Sequence, residues 1–257
     1  MEKLIYLVWL TPDTTPDQVA ETMLGQVAPE LLGLGPTALT MDLDDGEAQI
    51  SPPMPLPDDE DPVRALVSIW LPNADERHRY EEVLDRSATR IAGYLVSESL
   101  YDDYGTTRWS GPRTWPDGQR SPGVLTVTLF EKPERFDDDA EWYDFWHTRQ
   151  SPMSAEVQPR CRYVRNSVFR AVTSGAPPWR GIVEEAWAAV DDVTDPMRFY
   201  CADGDPEVMN ANLSTMLDHV THFLDLDHTR VHTMSEYQLR AAPWDHAADR
   251  QDLDVTP

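Results

Sequence analysis

The feature that most narrows what this chain can become is an order of elements written twice. The first copy opens with the apolar, β-forming run Leu4–Leu10. Thr15, Pro16 and Gln18 then form a capping box with proline at the first helical position. The pattern predicts a helix to about Gly25–Val27, broken by Pro29 and Gly33. A short strand follows near Thr37–Met41, then the Pro- and Asp-rich loop "DLDDGEAQISPPMPLPDDEDP", then the strand "RALVSIWL". Asp75 opens a charged helix that ends near Gly93, and "YLVSESLYDDY" closes the unit as a strand. The second copy runs "VLTVTLF", a helix from Asp138 with Glu141 three residues on, and the strands "CRYVRNSVFRAV" and "GIVEEAWAAV". The helix "DPEVMNANLSTMLDHVTHFL" and the strand "TRVHTMSEYQLR" complete it; Pro152 and Pro159 are read as ending its first helix.

Each half therefore spells β-α-β-β-α-β, the split βαβ of a ferredoxin-like unit. Such a unit leaves part of its sheet uncovered, and two fused units remove that liability by pairing their antiparallel sheets into one closed α+β barrel. The boundaries that follow are a first repeat over 1–110, a linker over 111–122, a second repeat over 123–240 and a polar tail over 241–257. Because the halves are fused, a monomer closes the barrel and a homodimer is allowed but not required.

Charge and cysteine usage narrow the partners. A formal net charge of −25 argues against nucleic acid and against an anionic membrane surface. Cys161 and Cys201 are isolated, without CxxC spacing, which fits a reducing compartment. The apolar run at the start is too short to span a bilayer and no small-residue cleavage site follows, so the expectation is a soluble cytoplasmic protein. The glycine-rich and serine-elbow motifs that announce nucleotide binding or serine hydrolysis are missing.

The stretch Phe145–Arg170 carries a family resemblance. Phe145 and Trp146 on the helix, Pro152 after it, and Tyr163, Val164 and Asn166 on the following strand resemble the signature of the EthD family, within the dimeric α/β-barrel superfamily. The resemblance implies a barrel-interior pocket for a small, often apolar or aromatic molecule. The family histidine of that signature falls at Gln150, and at Val27 in the first half.

Candidate chemistry gathers around this stretch. His147 beside Trp146 is the candidate general base, with Asn166, which coincides with the family motif, and Tyr237 on the last strand completing the catalytic set. Trp146, Gln150, Tyr163, Arg165 and Tyr101 are the expected substrate contacts. In each strand the more polar face is expected inside the barrel, since carboxylates and tyrosines pack poorly beneath helices. His219, His222, His228 and His232 cluster in sequence but match no metal signature, so neither metal nor organic cofactor is expected. The leading expectation is an EthD-like enzyme that moves a proton on a small hydrophobic or aromatic metabolite, as a dehydratase, isomerase or other lyase. A silent binding protein and a haem, metal or cofactor-free oxidoreductase are the alternatives.

Overall fold

A computed structural model describes residues 1–242; positions 243–257 of the tail, Trp244 included, lie outside the described residues. Eight strands carry the architecture: β1 (Glu2–Trp9), β2 (Ala38–Leu43), β3 (Ala65–Leu71), β4 (Arg90–Asp102), β5 (Val124–Phe130), β6 (Arg160–Ala171), β7 (Gly181–Trp187) and β8 (Thr229–Arg240). They close an antiparallel barrel in the order β1-β3-β2-β8-β5-β7-β6-β4. Each half contributes the same ferredoxin-like sheet, β4-β1-β3-β2 and β8-β5-β7-β6. The halves meet at two seams, β2 against β8 and β4 against β6, which put Asp42 opposite Glu236 and Glu98 opposite Asn166. Closure leaves no strand edge to pair with another chain. The fold class is α+β, as the repeated pattern predicts.

The helices differ from expectation in one respect. In the first half α1 (Pro16–Ala20) does not stop before Pro29 but passes through a π-helical turn, Glu21–Val27, into α2 (Ala28–Gly33), with α3 (His78–Ser87) later. In the second half α4 (Asp139–Phe145) passes through a π-helical turn, Trp146–Gln150, into α5 (Ser151–Val157). The short α6 (Asp191–Thr194) and α7 (Pro196–Phe199) and the long α8 (Pro206–Phe223) follow. A proline inside a helix removes one donor and collides with the carbonyl four residues back. Widening the preceding turn relieves both. The Ala28 amide accordingly reaches back to the Met23 carbonyl, and the Ser151 amide to that of Trp146, in each case at the residue before the proline.

The barrel interior is apolar through its middle and ionic around it. Ile5, Leu7, Tyr94 and Leu66 of the first half meet Leu125, Val127, Ile182 and Met234 of the second. Among them run Lys3 to Glu98 at 2.8 Å and to Glu184 at 3.2 Å, and Arg162 to Glu236 at 2.8 Å. Asn166 donates to Glu184 at 2.9 Å, and the Tyr104 and Ser121 hydroxyls both donate to Glu236. Asp42 is fully buried here with neither carboxylate oxygen hydrogen-bonded, and burial, reinforced by Glu184 and Glu236, raises its pKa well above the usual carboxylate range. Among the described residues no helix is long and apolar enough to cross a membrane.

Candidate functional site

The two halves treat the space between sheet and helices differently. In the first, Leu4, Tyr6 and Val8 of β1 pack directly on Met23, Val27 and Leu31 in one buried cluster. In the second, β5 offers Thr126, Thr128 and Phe130, and the residue two before the proline is Gln150 instead of Val27. Threonines are too short to fill the gap that leucine and tyrosine fill. A cleft of about 260 Å³ remains, between sheet and helices and not in the barrel interior that the resemblance implies, because Ile5, Leu7, Tyr94, Val127 and Met234 fill that interior. Its floor is Thr126, Thr128 and Phe130 with Val183, Glu185 and Trp187 of β7 and Tyr163 of β6; its roof is Trp146, Gln150 and Ser154 with Met216, Val220 and Phe223 of α8. Gly181 is required at the start of β7, because a Cβ there would lie 2.3 Å from the Phe130 ring that forms one wall.

A few polar groups converge on this apolar slot, as small-molecule sites require. Arg160 ion-pairs with Glu185 at 2.6 Å, donates to the Ser154 hydroxyl at 2.9 Å, and lies 4.1 Å over the Tyr163 ring. The second Glu185 oxygen accepts no hydrogen bond from the described residues. The Trp146 indole donates to the Tyr163 oxygen at 3.2 Å, and burial raises the Tyr163 pKa. Gln150 is buried, its amide nitrogen 3.8 Å from the Met216 sulfur, and its carbonyl oxygen has no partner. A buried unpaired carbonyl costs about 1–3 kcal/mol, so it is a natural acceptor for a donor on a ligand.

The expected site residues fall into three compartments. Trp146, Gln150 and Tyr163 line the cleft. Arg165 and Tyr101 stand behind it on the same side of the sheet: Arg165 donates to Ser151 at 3.0 Å and Ser99 at 2.8 Å and lies 4.9 Å from the Tyr101 ring, which meets Tyr163 edge-on at 5.7 Å. His147 sits on the π-helical turn between Tyr143 and Trp146, outside the lining, with Nε2 buried and unpartnered; burial, with Arg165 nearby, lowers its pKa. Asn166 points into the barrel, and Tyr237 donates to Asp45 on the first-half side at 2.7 Å. His147, Asn166 and Tyr237 are thus separated by the sheet. The expectation that tyrosines avoid the helix-facing side does not hold for Tyr163 and Tyr101, because the aromatic cleft accommodates them, while the polar interior does receive Glu98, Asn166 and Glu236.

Sequence reading missed Arg160, Glu185, Ser154, Gln158, Thr126 and Thr128. The alternating threonines of "VLTVTLF", set against "LIYLVWL", were the available signal. Among the described residues no three His, Cys, Asp or Glu side chains are placed to hold a metal ion. The sequence-clustered histidines part company: His228 pairs with Asp225 at 3.0 Å, and His232 is buried on β8, its pKa pushed down to about 4 by burial. The cleft lining offers no histidine or cysteine as axial ligand to haem iron; of its two phenols the Tyr163 oxygen is held by Trp146, and Tyr200 shares the lining with the Met216 thioether. A larger open depression of about 700 Å³ near Trp109 and Cys201 mixes apolar side chains with Asp192, Asp195 and Asp203, and its Arg198 is already paired to Asp192 at 2.5 Å.

No family model matches the chain, and no curated protein does. Solved structures do. One described as an anthrone oxidase-like protein superposes with a TM-score of 0.51 at 15% identity, over 93% of this chain and 92% of its own. A mutant chlorite dismutase from Candidatus Nitrospira defluvii gives 0.46 at 9% identity, over 93% and 91%. A dye-decolorizing peroxidase from Bacteroides thetaiotaomicron gives 0.43 at 11%, over 93% and 93%. At 15% identity the first of these likenesses speaks to the fold, an α+β antiparallel barrel, and not to activity.

Proposed function

We propose that the protein is an EthD-like enzyme that holds a small hydroxylated aromatic molecule in the second-half cleft and moves a proton on it without an organic cofactor. The observation that carries this reading is the hollow: the second half keeps an aromatic slot with an unpartnered Gln150 carbonyl, where the first half is packed solid. Glu185 is the base. Arg160 fixes one of its oxygens and leaves the other free toward the cleft. The proton that a carboxylate takes must be an acidic one, such as one on a carbon conjugated to an aromatic ketone. Arg160 then sits beside the negative charge that develops, and the aromatic walls exclude water that would screen it. Return of the proton at another atom gives isomerisation; loss of a hydroxyl gives dehydration. The anthrone oxidase-like neighbour is named for a compound of this kind, a fused aromatic ketone.

The lack of any histidine in the lining favours a second reading, a binding protein without turnover. Anthrone and a set of hydroxynaphthalenes, followed by tryptophan fluorescence for binding and absorbance for conversion, separate the two. Binding with conversion that Glu185→Gln reduces about 10²–10⁴-fold supports the enzyme. Binding without conversion supports the second reading. No binding by the wild type, or conversion untouched by Glu185→Gln, overturns the role given to this cleft.

A further inference from the structure

The Pro- and Asp-rich segment between β2 and β3 has no role in the reading above, yet it is where the first half reaches across to the second. It is fastened to β8 at both ends. Near its start the Thr233 hydroxyl reaches the Ala48 carbonyl at 3.1 Å and the Ile50 carbonyl at 2.9 Å. Near its far end Glu60 accepts from Arg230 Nε at 2.6 Å, and Arg230 is itself braced on the Asp227 carbonyl. Between these fastenings runs "PPMPLP", residues 52–57, in which Pro52, Met54 and Leu56 are half-buried while Pro53, Pro55 and Pro57 are exposed. Proline fixes φ and removes the amide donor, so such a run is stiff, extended and unable to join a sheet. Pro53 and Met54 lie in the cleft wall; Pro52 and Leu56 line an adjoining cavity of about 340 Å³ that shares Val231.

We infer that residues 50–60 are a lid, supplied by the first half, over the second-half cleft, with Arg230–Glu60 as its latch and Met54 as its contact with the ligand. The first half, whose own cleft is filled, thereby acts on the other half's site. A stiff strap fastened by one hydroxyl and one solvent-facing ion pair opens as a unit when the ion pair breaks. The Met54 contact rests on the proposed aromatic ligand; the lid and latch do not.

The test separates the two. Thr128→Cys, in a Cys201→Ser background, places a thiol on the cleft floor, and its rate of maleimide labelling reports access whatever the ligand is. Exposed ion pairs contribute up to about 1 kcal/mol, so Arg230→Ala and the milder Glu60→Gln should each speed labelling about two- to fivefold. Salt should speed it in the latched protein and have little effect in either variant. Equal rates with and without the latch would overturn the lid. For the contact, Met54→Ala should weaken 2-naphthol binding about tenfold through lost apolar burial. Unchanged affinity in Met54→Ala removes Met54 from the site. A wild type that binds no 2-naphthol removes it as well, and with it the aromatic-ligand reading, while the labelling rates still decide the lid.

Discussion

The two sheet–helix spaces of this molecule are built from the same elements and reach opposite ends. Beneath α1 and α2 the space is taken by large apolar side chains, with Met23 and Leu31 fully buried in one cluster with Leu4 and Tyr6. Beneath α4, α5 and α8 the order of elements is the same, but Thr126, Thr128 and Gln150 line a space that they do not fill. The difference teaches that a ligand site in this fold is made by subtraction. The short α6 and α7 are added at one side, but on the sheet and beneath the first helix a few side chains are shortened and one is left without a partner. Both spaces keep the π-helical turn, so that turn belongs to the proline and not to the site.

The comparison can be broken from either side. The largest effect is expected on the hollow side: Thr128→Tyr, which gives β5 the aromatic that β1 carries at Tyr6, should abolish ligand binding while the protein still melts cooperatively. Retained binding would mean the ligand lies elsewhere. On the filled side, Met23→Ala should destabilise by about 2–5 kcal/mol in urea unfolding, because the packed cluster cannot collapse onto the gap. Leu217→Ala, on the rim of the hollow and 48% exposed, should change stability by no more than about 0.5 kcal/mol. Similar losses at both positions would show that the two spaces are equally packed in solution.

Smaller effects concern the interior the halves share. Asp42 holds its proton more tightly folded than unfolded, so its contribution to stability is complete below the ordinary carboxylate range and declines as pH rises toward its raised value. Asp42→Asn should remove that decline, seen as a flatter stability-versus-pH curve above the ordinary carboxylate range. His232 has the opposite sign. Its folded pKa of about 4 lies below the ordinary 6.5, so the unfolded chain binds more protons between the two; stability rises with pH through that window and is lost as pH drops through it. His232→Gln should flatten only that acidic limb. If neither variant alters the pH profile, the groups are not buried as described.

Most of the fold was legible because its signals are local. Alternation, caps and turn residues marked eight strands, and the repeated order implied closure. The helix ends were misread at Pro29 and Pro152 because a π turn, set by backbone bonds five residues apart, leaves no mark in propensity. Within the site, Trp146, Gln150 and Tyr163 could be named from one motif, since they lie within 18 residues of each other. Arg160 and Glu185 could not, because their pairing depends on β6 lying beside β7, and Asn166 and Tyr237 were placed with His147 because a sequence does not say which side of a sheet a residue serves. The short threonines of β5 are visible in the sequence, but what they leave behind is visible only once the helices are laid over them.

Closing the barrel within one chain has a last consequence. In a barrel assembled from two identical chains, every substitution is made twice and the assembly comes apart on dilution. Here the β2–β8 and β4–β6 seams are intramolecular, so barrel closure is insensitive to concentration. Each half can change alone, and the destabilisation that comes with opening a space beneath the helices is incurred once, against the full stability of a partner that never needs to open.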